Sequence, residues 1–364
     1  MSSTVQRMPD RAETSPIAPR WHAALVAEEL PPLNEPVASL MSAVGRTWAW
    51  VPESGRIRPV PDLGDLKGHN GTPFVEPGGR YLLLESEGLQ PDDGTPMLER
   101  RFSKGIYRLD LADLSARRLP FEPRAGWEWR NALATSPDGQ QVVIAEEWRP
   151  DEYYSVARRF GSDEFLARAR ALTPIPAWVT VHRVDLRTST SEVLLQRQEW
   201  LRSGSEDSPV QWSPDGSLIA LSLTTSTPGV AQTLLIDAST GAVVRTIEDA
   251  RLAGSLGWSP SGARLLLDRH QIVEYDIASG EDHPLPPLPG AGSSTRRPEP
   301  PGNGRHRVLG YADEEHLLSV THRRTVMMLN RVGIVDGAVK PLARWAGTED
   351  IYPRLTAMPP GFWN

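Results

Sequence analysis

The sequence contains no cysteine, which excludes disulfide bonds and any chemistry that depends on a thiolate. No window approaches the run of about 18 apolar residues that a membrane-spanning helix requires, so we predict no membrane association. Lysine is also scarce, because only Lys67, Lys104 and Lys340 contribute to the 39 basic residues. We interpret this preference for arginine as the codon bias of a GC-rich bacterial genome rather than as a binding signal.

The charge pattern offers no surface for nucleic acid. The net charge is -7, and charges of both signs are spread along the 364 residues instead of forming a basic patch. Residues 1–20 are polar and predict a disordered tail, which is followed by a single domain over residues 21–364. Residues 1–30 lack the apolar core of a signal peptide. We therefore expect a cytoplasmic, monomeric protein.

Three segments repeat one pattern, in which Ser-Pro-x-Gly precedes an apolar run. They are LATSPDGQQVVIAEE from Leu133, QWSPDGSLIALS from Gln211 and GWSPSGARLLLD from Gly257. In such a turn, proline fixes φ at one corner, aspartate can bond to its own backbone and glycine accepts a positive φ. The runs that follow are short and apolar, as buried β-strands are. The pattern therefore predicts hairpins with tight turns.

Looser versions of the pattern begin at Pro73, Leu309 and Arg354, so that six copies span the chain. Successive turns are separated by 46 to 77 residues, and a basic unit of about 45 residues is typical of four-stranded propeller blades. We predict an all-β, six-bladed β-propeller with four antiparallel strands, A to D, in each blade. Seven blades are the alternative.

The two ends of the chain complement each other in this scheme. The C-terminal segment supplies only a strand A and its turn at residues 358–361, whereas residues 37–60 supply strands B, C and D. We predict that one blade is built from both ends of the chain. Such a blade closes the ring and leaves no exposed sheet edge at which chains would aggregate.

The Ser-Pro-Asp-Gly turn before an apolar strand resembles the TolB-type, WD-like propeller repeat, which also builds the propeller domains of prolyl oligopeptidase-type peptidases. The resemblance covers most of residues 37–361 and implies a fold rather than an activity. The Gly-x-Ser-x-Gly nucleophile elbow is absent, and GWSPS at Gly257 lacks its final glycine, so peptidase activity is not expected. Without a TolB-type N-terminal domain or an export signal, a periplasmic TolB role is not expected either.

Propeller geometry sorts the connections onto two faces. The A–B and C–D turns lie on one face and are short, whereas the B–C and D–A connections lie on the other. The long segments fall in the second set, namely residues 61–71, 86–102, 148–176, 197–207 and 287–305. Because loops on a rigid scaffold often carry function, we predict the site on this long-loop face.

The longest insertion, residues 148–176, is predicted to be partly helical. A short helix begins at Ser162, an N-cap residue, and ends before Pro174. A helix this short needs a packing surface. It serves either as a structural lid on the blade edge or as a gate to a pocket at the channel mouth.

Aromatic and polar residues of the long-loop face are the candidate binding residues. Tyrosine and tryptophan suit interfaces, although they also pack between blades. Polar residues at the starts of A strands and the ends of B strands, Glu146 and Glu147 among them, either serve a ligand or acid–base chemistry or form ion pairs at the blade ends. The predicted ligand- or partner-binding residues are Trp127, Trp129, Arg130, Asn131, Trp148, Tyr153, Tyr154, Trp200, His69 and His322.

The sequence favours binding over catalysis. The histidines show no ligand spacing, the QPDDGTPMLE segment from Gln90 lacks the calcium-loop pattern, and no glycine-rich phosphate loop is present, so we predict no metal and no cofactor. We predict a non-catalytic propeller that recognises a protein or peptide through its long-loop face. The alternative is a small-molecule enzyme, such as a hydrolase, lactonase or lyase, with a polar or metal site at the channel mouth.

Overall fold

The structure is a computed structural model in which all regular elements of the described residues are β-strands. The described residues are 39–43, 46–51, 56–59, 74–75, 81–86, 105–110, 116–122, 130–148, 178–201, 209–224, 230–269, 271–286, 305–323, 326–346 and 352–355.

The described strands form six antiparallel sheets, which we number I to VI along the chain. In spatial order, sheet I contains β25 (Tyr352–Leu355), β1 (Ser39–Ala43), β2 (Arg46–Val51) and β3 (Arg56–Pro59). Sheet II contains β4 (Phe74–Val75), β5 (Tyr81–Ser86), β6 (Gly105–Asp110) and β7 (Ala116–Arg118). Sheet III contains β8 (Arg130–Thr135), β9 (Gln141–Trp148), β10 (Trp178–Asp185) and β11 (Thr190–Arg197).

Sheet IV differs from the others because two short strands share its first position. In spatial order, sheet IV contains β12 (Trp200–Leu201) and β13 (Val210–Trp212), both paired with β14 (Leu218–Thr224), then β15 (Ala231–Asp237) and β16 (Val243–Glu248). Sheet V contains β17 (Arg251–Leu252), β18 (Arg264–Asp268), β19 (Ile272–Asp276) and β20 (Asp282–Pro284). Sheet VI contains β21 (Arg305–Tyr311), β22 (His316–Arg323), β23 (Val326–Gly333) and β24 (Val339–Ala346).

Among the described residues, the prediction of an all-β fold with four-stranded antiparallel sheets is confirmed for five of the six sheets, and sheet IV has a fifth strand. Sheet I joins distant parts of the sequence, because β25 pairs with β1 from Ser39 opposite Leu355 to Ser42 opposite Tyr352. The predicted turn at residues 358–361, the tail over residues 1–20 and the helix from Ser162 lie outside the described residues. The arrangement of the sheets as a closed ring stays a prediction.

The repeated tetrapeptide forms the turn that its residue types predict. Between β8 and β9, the Ser136 hydroxyl donates to Asp138 Oδ1 at 2.6 Å, and the Gly139 amide donates to the Ser136 carbonyl at 2.9 Å. Gly139 has a φ of 67°, which costs glycine nothing sterically. The same bonds recur at Ser213 and Asp215, so each repeat reverses the chain in the same way.

Successive sheets pack face against face. Four apolar clusters occupy the clefts between neighbouring sheets from II to VI, and their best-buried members are leucine, isoleucine and valine. Burying one such side chain contributes about 1.5–3 kcal/mol. Each cluster has members from both sheets: Leu83 and Ile144 for sheets II and III, Ala134 and Leu234 for III and IV, Ala220 and Leu265 for IV and V, and Leu266 and Leu317 for V and VI.

The turns between the first and second strands of sheets III to VI lie side by side. A Cβ atom added at Gly216 would lie 3.8 Å from Pro137, and one added at Gly262 would lie 3.6 Å from Pro214. The next turn continues this row, because the Ser261 amide donates to Glu314 Oε1 at 2.5 Å. We call this end of the sheets the turn end, and the opposite end the connection end.

Candidate functional site

The connection end carries the long segments between strands. The chain leaves β5 and β9 there and returns to β6 and β10 only after residues 87–104 and 149–177, and residues 60–73 and 285–304 join successive sheets at the same end. At the turn end, by contrast, the described strands are joined by four or five residues, except that eleven residues, 253–263, separate β17 from β18. The strand bounds therefore agree with the predicted separation of short turns from long connections.

The cleft between sheets II and III becomes polar toward the connection end. Along β9, Val142 and Ile144 are followed on the same face by Glu146, since side chains alternate along a strand. On β10, His182 pairs with Ile144, and Thr180 pairs with Glu146. Glu146 and Thr180 are each only 1% exposed. Burying these groups costs free energy, so their position calls for an explanation beyond packing.

The other clefts show the same change from apolar to polar side chains. Between sheets IV and V, the Thr233 hydroxyl donates to the Ala250 carbonyl at 3.1 Å and the Ser222 hydroxyl accepts from the Leu252 amide at 2.7 Å. These groups are satisfied by backbone and tie the two sheets together. The other buried polar side chains of this kind are Gln232 between sheets III and IV, and Ser319, Thr321 and Asn330 between sheets V and VI.

The Glu146–Thr180–His182 cluster is the candidate site that the described residues define best. His182 Nε2 lies 3.5 Å from Glu146 Oε2, within ion-pair distance but outside hydrogen-bonding geometry. The edge of the Phe121 ring contacts the His182 ring at a centroid distance of 4.8 Å and so restrains it. Among the described residues, neither His182 Nε2 nor Thr180 Oγ1 has a hydrogen-bond partner. The cluster offers a carboxylate, an imidazole and a hydroxyl that can accept hydrogen bonds or relay a proton.

The neighbouring Glu147 belongs to the other face of sheet III. It follows Val143 and Ala145 along the face that packs on sheet IV, and it is 2% exposed. Two adjacent buried carboxylates therefore enter two different clefts. The polar end of sheet III faces both of its neighbouring sheets.

Two of the predicted site residues lie in register with this cluster. Arg130 and Asn131 are the first two residues of β8, where they pair with Glu147 and Glu146 respectively. The row Asn131, Glu146 and Thr180 thus crosses three strands at the connection end. The sequence prediction of polar residues at this end of sheet III agrees with that register.

The other predicted residues divide into two groups. Trp148 ends β9, Trp200 begins β12 opposite Thr224, and His322 lies near the end of β22 opposite Arg305. Trp200 was expected in a connection but belongs to a two-residue strand, which carries too little alternation to be recognised. Outside the described residues lie His69, Trp127, Trp129, Tyr153 and Tyr154.

Three residues near this site were not among the predicted binding residues. They are Trp178, which pairs with Trp148, and Thr180 and His182 on the same strand. In WVTVHRVD, Val179 and Val181 alternate with Thr180 and His182, and this alternation could have marked the polar face of β10. It could not have shown that this face is buried by Phe121 and sheet II.

The described residues hold no group of three or more histidine, aspartate or glutamate side chains suited to a metal ion. Nor does the described part of the chain include a helix long and apolar enough to cross a membrane.

The turn end carries polar networks of a different kind. Tyr311 donates to Glu274 Oε1 at 2.5 Å, and Arg264 reaches both Glu274 and Glu314 at 3.0 and 2.8 Å. Burial, followed by the hydrogen bond to Glu274, raises the pKa of Tyr311. All these groups have partners within the network and join sheet V to sheet VI. We therefore assign them to stability.

Comparison with solved structures shows similarity in fold. The chain is similar to TolB from Acinetobacter baumannii, at 13% identity and a TM-score of 0.47, over 88% of this chain and 66% of that one. It is similar to an oligogalacturonate lyase from Vibrio parahaemolyticus, at 12% identity and a TM-score of 0.50, over 86% and 78%. The β-propeller domain of the Trilobed protease from Pyrococcus furiosus gives 12% identity, a TM-score of 0.37, and 74% and 81%.

Sequence comparison adds no relative, because no protein-family model and no curated protein matches the chain. The chain spans about two thirds of the length of the TolB structure. With identities this low, the structural similarities concern the fold alone. The chain resembles TolB and other β-propeller proteins at the level of fold, as the Ser-Pro-Asp-Gly repeats predicted.

Proposed function

We propose that this protein is a non-catalytic β-propeller that binds a protein or peptide partner through its connection end. The observation that carries the proposal is the contrast between the two ends of the sheets. At the turn end, the described hairpins are short except for the eleven residues between β17 and β18, whereas the long segments lie at the connection end, where the side chains of Glu146, Glu147 and Thr180 are buried. A stable scaffold with one variable end is the usual arrangement for recognition.

The proposed architecture is a single domain of six blades that is closed by the two ends of the chain. The pairing of β25 with β1 supports closure, because it places the last described strand beside the first within sheet I. The apolar clusters between successive sheets from II to VI support a radial order.

Aromatic residues at the connection end support a macromolecular partner. Trp148 pairs with Trp178 at the end of sheet III, and Trp200 begins the neighbouring sheet. Tryptophan and tyrosine are enriched in protein interfaces because each buries a large area and keeps a polar atom for hydrogen bonding. The absence of cysteine from the sequence fits a cytoplasmic partner.

The proposal can be tested by selecting ligands directly on the purified protein. A phage-displayed library of random linear peptides is panned against the immobilised chain, and the affinities of selected peptides are measured by fluorescence anisotropy. We expect a Trp148→Ala, Tyr153→Ala double variant to bind them at least about tenfold more weakly, since aromatic hot spots contribute about 2 kcal/mol or more.

The matched control lies at the turn end. Val335, in the turn between β23 and β24, is 92% exposed, so a Val335→Ala variant removes an exposed apolar side chain far from the proposed surface. It should bind the peptides as the unmodified chain does. Failure to select any peptide, or peptides weakened by Val335→Ala and not by the aromatic variant, would contradict the proposal.

A second function, acid–base catalysis on a small molecule, is favoured by the Glu146–His182 contact alone. A buried carboxylate 3.5 Å from an imidazole is a pair that can move a proton. Its test is a chromogenic panel of esters, lactones and uronides. Turnover that is lost in Glu146→Gln and kept in Glu281→Gln, an exposed glutamate of the turn end, would favour this alternative.

A further inference from the structure

We propose that two copies of this chain associate through β11, the last strand of sheet III, by antiparallel pairing of residues 192–197. This inference goes beyond the proposed function, because the surface is the edge of a sheet and not the connection end. Among the described strands, β11 pairs with β10 on one side and with no strand on the other. Such an edge presents backbone amides and carbonyls with which a second chain can pair.

The side chains of β11 are open to solvent. The strand spans eight residues, and five of them, residues 190–193 and residue 196, are exposed. Val193 is 57% exposed, so an apolar side chain lies on this uncovered edge. Native proteins usually protect a long edge strand with proline, with charge or by a covering segment. β11 contains no proline, and its exposure shows that no other segment covers it.

The other described edge strands are less suited to pairing. β7 and β20 each span only three residues. β3 contains Pro59 and β24 contains Pro341, and proline has no amide to donate. β24 also carries Lys340 and Arg344 without an acidic residue, so two copies of it would repel each other. Only β16 remains for comparison with β11.

A β-bulge in β11 changes which residues share a face. Val181 of β10 pairs with Leu195. The next residue of β10, His182, pairs with Val193, so Leu194 is the additional residue of the bulge. Side chains normally alternate between the two faces of a strand. Beyond the bulge, odd-numbered residues of β11 therefore take the face that even-numbered residues occupy before it.

Glu192 and Arg197 consequently lie on the same face, toward sheet IV. Glu192 accepts a hydrogen bond at 2.7 Å from Arg183, whose guanidinium also donates to the Ala238 carbonyl of sheet IV at 2.5 Å. Arg197 pairs with Val179, which belongs to the apolar cluster between sheets III and IV. The side chains of Glu192 and Arg197 are 57% and 39% exposed, so both can reach a second chain.

A twofold axis through β11 makes these charges complementary. In a symmetric pair, the contact of one residue with a second is repeated in the opposite sense. The register that sets Glu192 opposite Arg197 also sets Val193 opposite Gln196, and both members of each pair lie on one face. The two leucines between them meet at the axis. Two pairs of opposite charges, one at each end of the ladder, thus select this register, because opposite charges stabilise a cross-strand pair and like charges destabilise it.

β16 provides an internal contrast. It contains neither proline nor glycine, and its Val244 is 55% exposed, so it resembles β11 in exposure. Its opposite charges lie on opposite faces, however. Arg245 donates to the Ile277 carbonyl of sheet V at 2.7 Å, whereas Glu248 pairs with Gln232 on the face toward sheet III. No symmetric register of β16 can therefore set its arginine opposite its glutamate on one face.

The test measures self-association of the full chain by sedimentation velocity over a series of concentrations. We expect a reversible dimer, so that the monomer predicted from the sequence is the form at low concentration. Glu192→Arg and Arg197→Glu should each weaken the dimer at least about tenfold, because two pairs of like charges then face each other. An equimolar mixture of these two variants should dimerise as the unmodified chain does, since every pair again joins opposite charges. Mixing does not restore the contact between Glu192 and Arg183, so recovery in the mixture cannot come from repair within one chain.

The charge-matched control is Glu281→Arg, which changes an exposed glutamate of sheet V and should dimerise as the unmodified chain does. Amide hydrogen exchange gives a second readout: protection of residues 190–197 should rise with concentration, and that of residues 243–248 should not. A chain that stays monomeric at every concentration would overturn the inference. So would a dimer that survives both charge reversals, a mixture that fails to associate, or protection that rises in β16 and not in β11. None of these results would affect the proposed binding of a peptide at the connection end.

Discussion

The turn end and the connection end are built from the same strands and differ in what their buried side chains do. At the turn end, polar groups such as Asp138 and Arg264 find partners within the molecule. At the connection end, Thr180, His182 and Gln232 are buried with an atom that has no hydrogen-bond partner among the described residues. The comparison teaches that the connection end of sheets III and IV carries a cost in stability, as binding sites commonly do, although single atoms of the turn end such as Thr135 Oγ1 also lack a partner among the described residues.

The largest expected effect lies in the apolar half of the clefts. Leu234 on β15 is fully buried between sheets III and IV, so Leu234→Ala should lower the free energy of unfolding by about 2–5 kcal/mol through lost burial and a cavity. Urea denaturation followed by circular dichroism measures the change. Val193→Ala is the control, because Val193 is 57% exposed and its loss should cost less than about 0.5 kcal/mol. Equal losses of stability in the two variants would contradict the role assigned to the apolar clusters.

A smaller effect on stability should distinguish the tryptophans of two copies of the repeat. Trp212 Nε1 donates to the Ala134 carbonyl at 3.1 Å, across sheets III and IV, whereas the equivalent atom of Trp258 has no partner among the described residues. Both rings are buried, so Trp→Phe removes similar volume at each site. Trp212→Phe should therefore be about 1 kcal/mol more destabilising than Trp258→Phe in the same denaturation assay. If Trp258→Phe is the more costly of the two, the bond between the sheets contributes nothing.

At the connection end, we expect a substitution that costs almost no stability. Gln232 lies two residues from Leu234 on the same face of β15, and its Nε2 atom has no partner among the described residues. Gln232→Leu removes a buried amide without a bond, so the stability should stay within about 1 kcal/mol of the unmodified chain or rise. A clear destabilisation would show that the polar end also supports the fold, and the contrast between the ends would fail.

The smallest effect is a pH dependence at the turn end. Asp237, the last residue of β15, has a pKa lowered from 3.8 to about 2, chiefly because the Ser239 and Thr240 hydroxyls donate to its carboxylate. A lowered carboxylate pKa adds stability above the unfolded value, and this stability is lost as the pH falls through the folded value. Asp237→Asn should therefore be less stable than the unmodified chain at pH 5, and the gap should close toward pH 2.

The control for that pH profile is Ser239→Ala, which removes the largest cause of the lowered pKa. It should shift the acid limb of the stability curve to higher pH without abolishing it. Thermal unfolding scans between pH 2 and pH 6 measure both variants. A gap between Asp237→Asn and the unmodified chain that is independent of pH would show that the carboxylate charge is not involved.

Local patterns in the sequence were sufficient for the turns and their strands. The Ser-Pro-Asp-Gly turns at Ser136 and Ser213 form with the bonds that their residue types predict, since every partner lies within five residues. The pairing of β25 with β1 was also predicted, because each end of the chain lacked what the other supplied. Local turn chemistry and the number of predicted strands were therefore sufficient to predict most of the observed strand pairing.

The candidate site was predicted less well because it depends on contacts between distant residues. In the sequence, His182 is one of several scattered histidines, and sixty residues separate it from its contact partner Phe121. Thr180 carries no motif and gains its significance only from pairing with Glu146 across a long insertion. Trp148 precedes that insertion and Trp178 follows it, so the sequence alone does not show that the two residues pair. Such residues are recognised once the register of β9 and β10 is known.

The pairing of β25 with β1 has a consequence for synthesis of the chain. On the ribosome, β1 emerges more than three hundred residues before the strand that covers its edge. Until then, Leu40 and Met41 belong to an unfinished sheet whose backbone groups can pair with another nascent chain. A polypeptide truncated before Tyr352 would therefore expose the edge of β1, at which the backbone of another chain can pair.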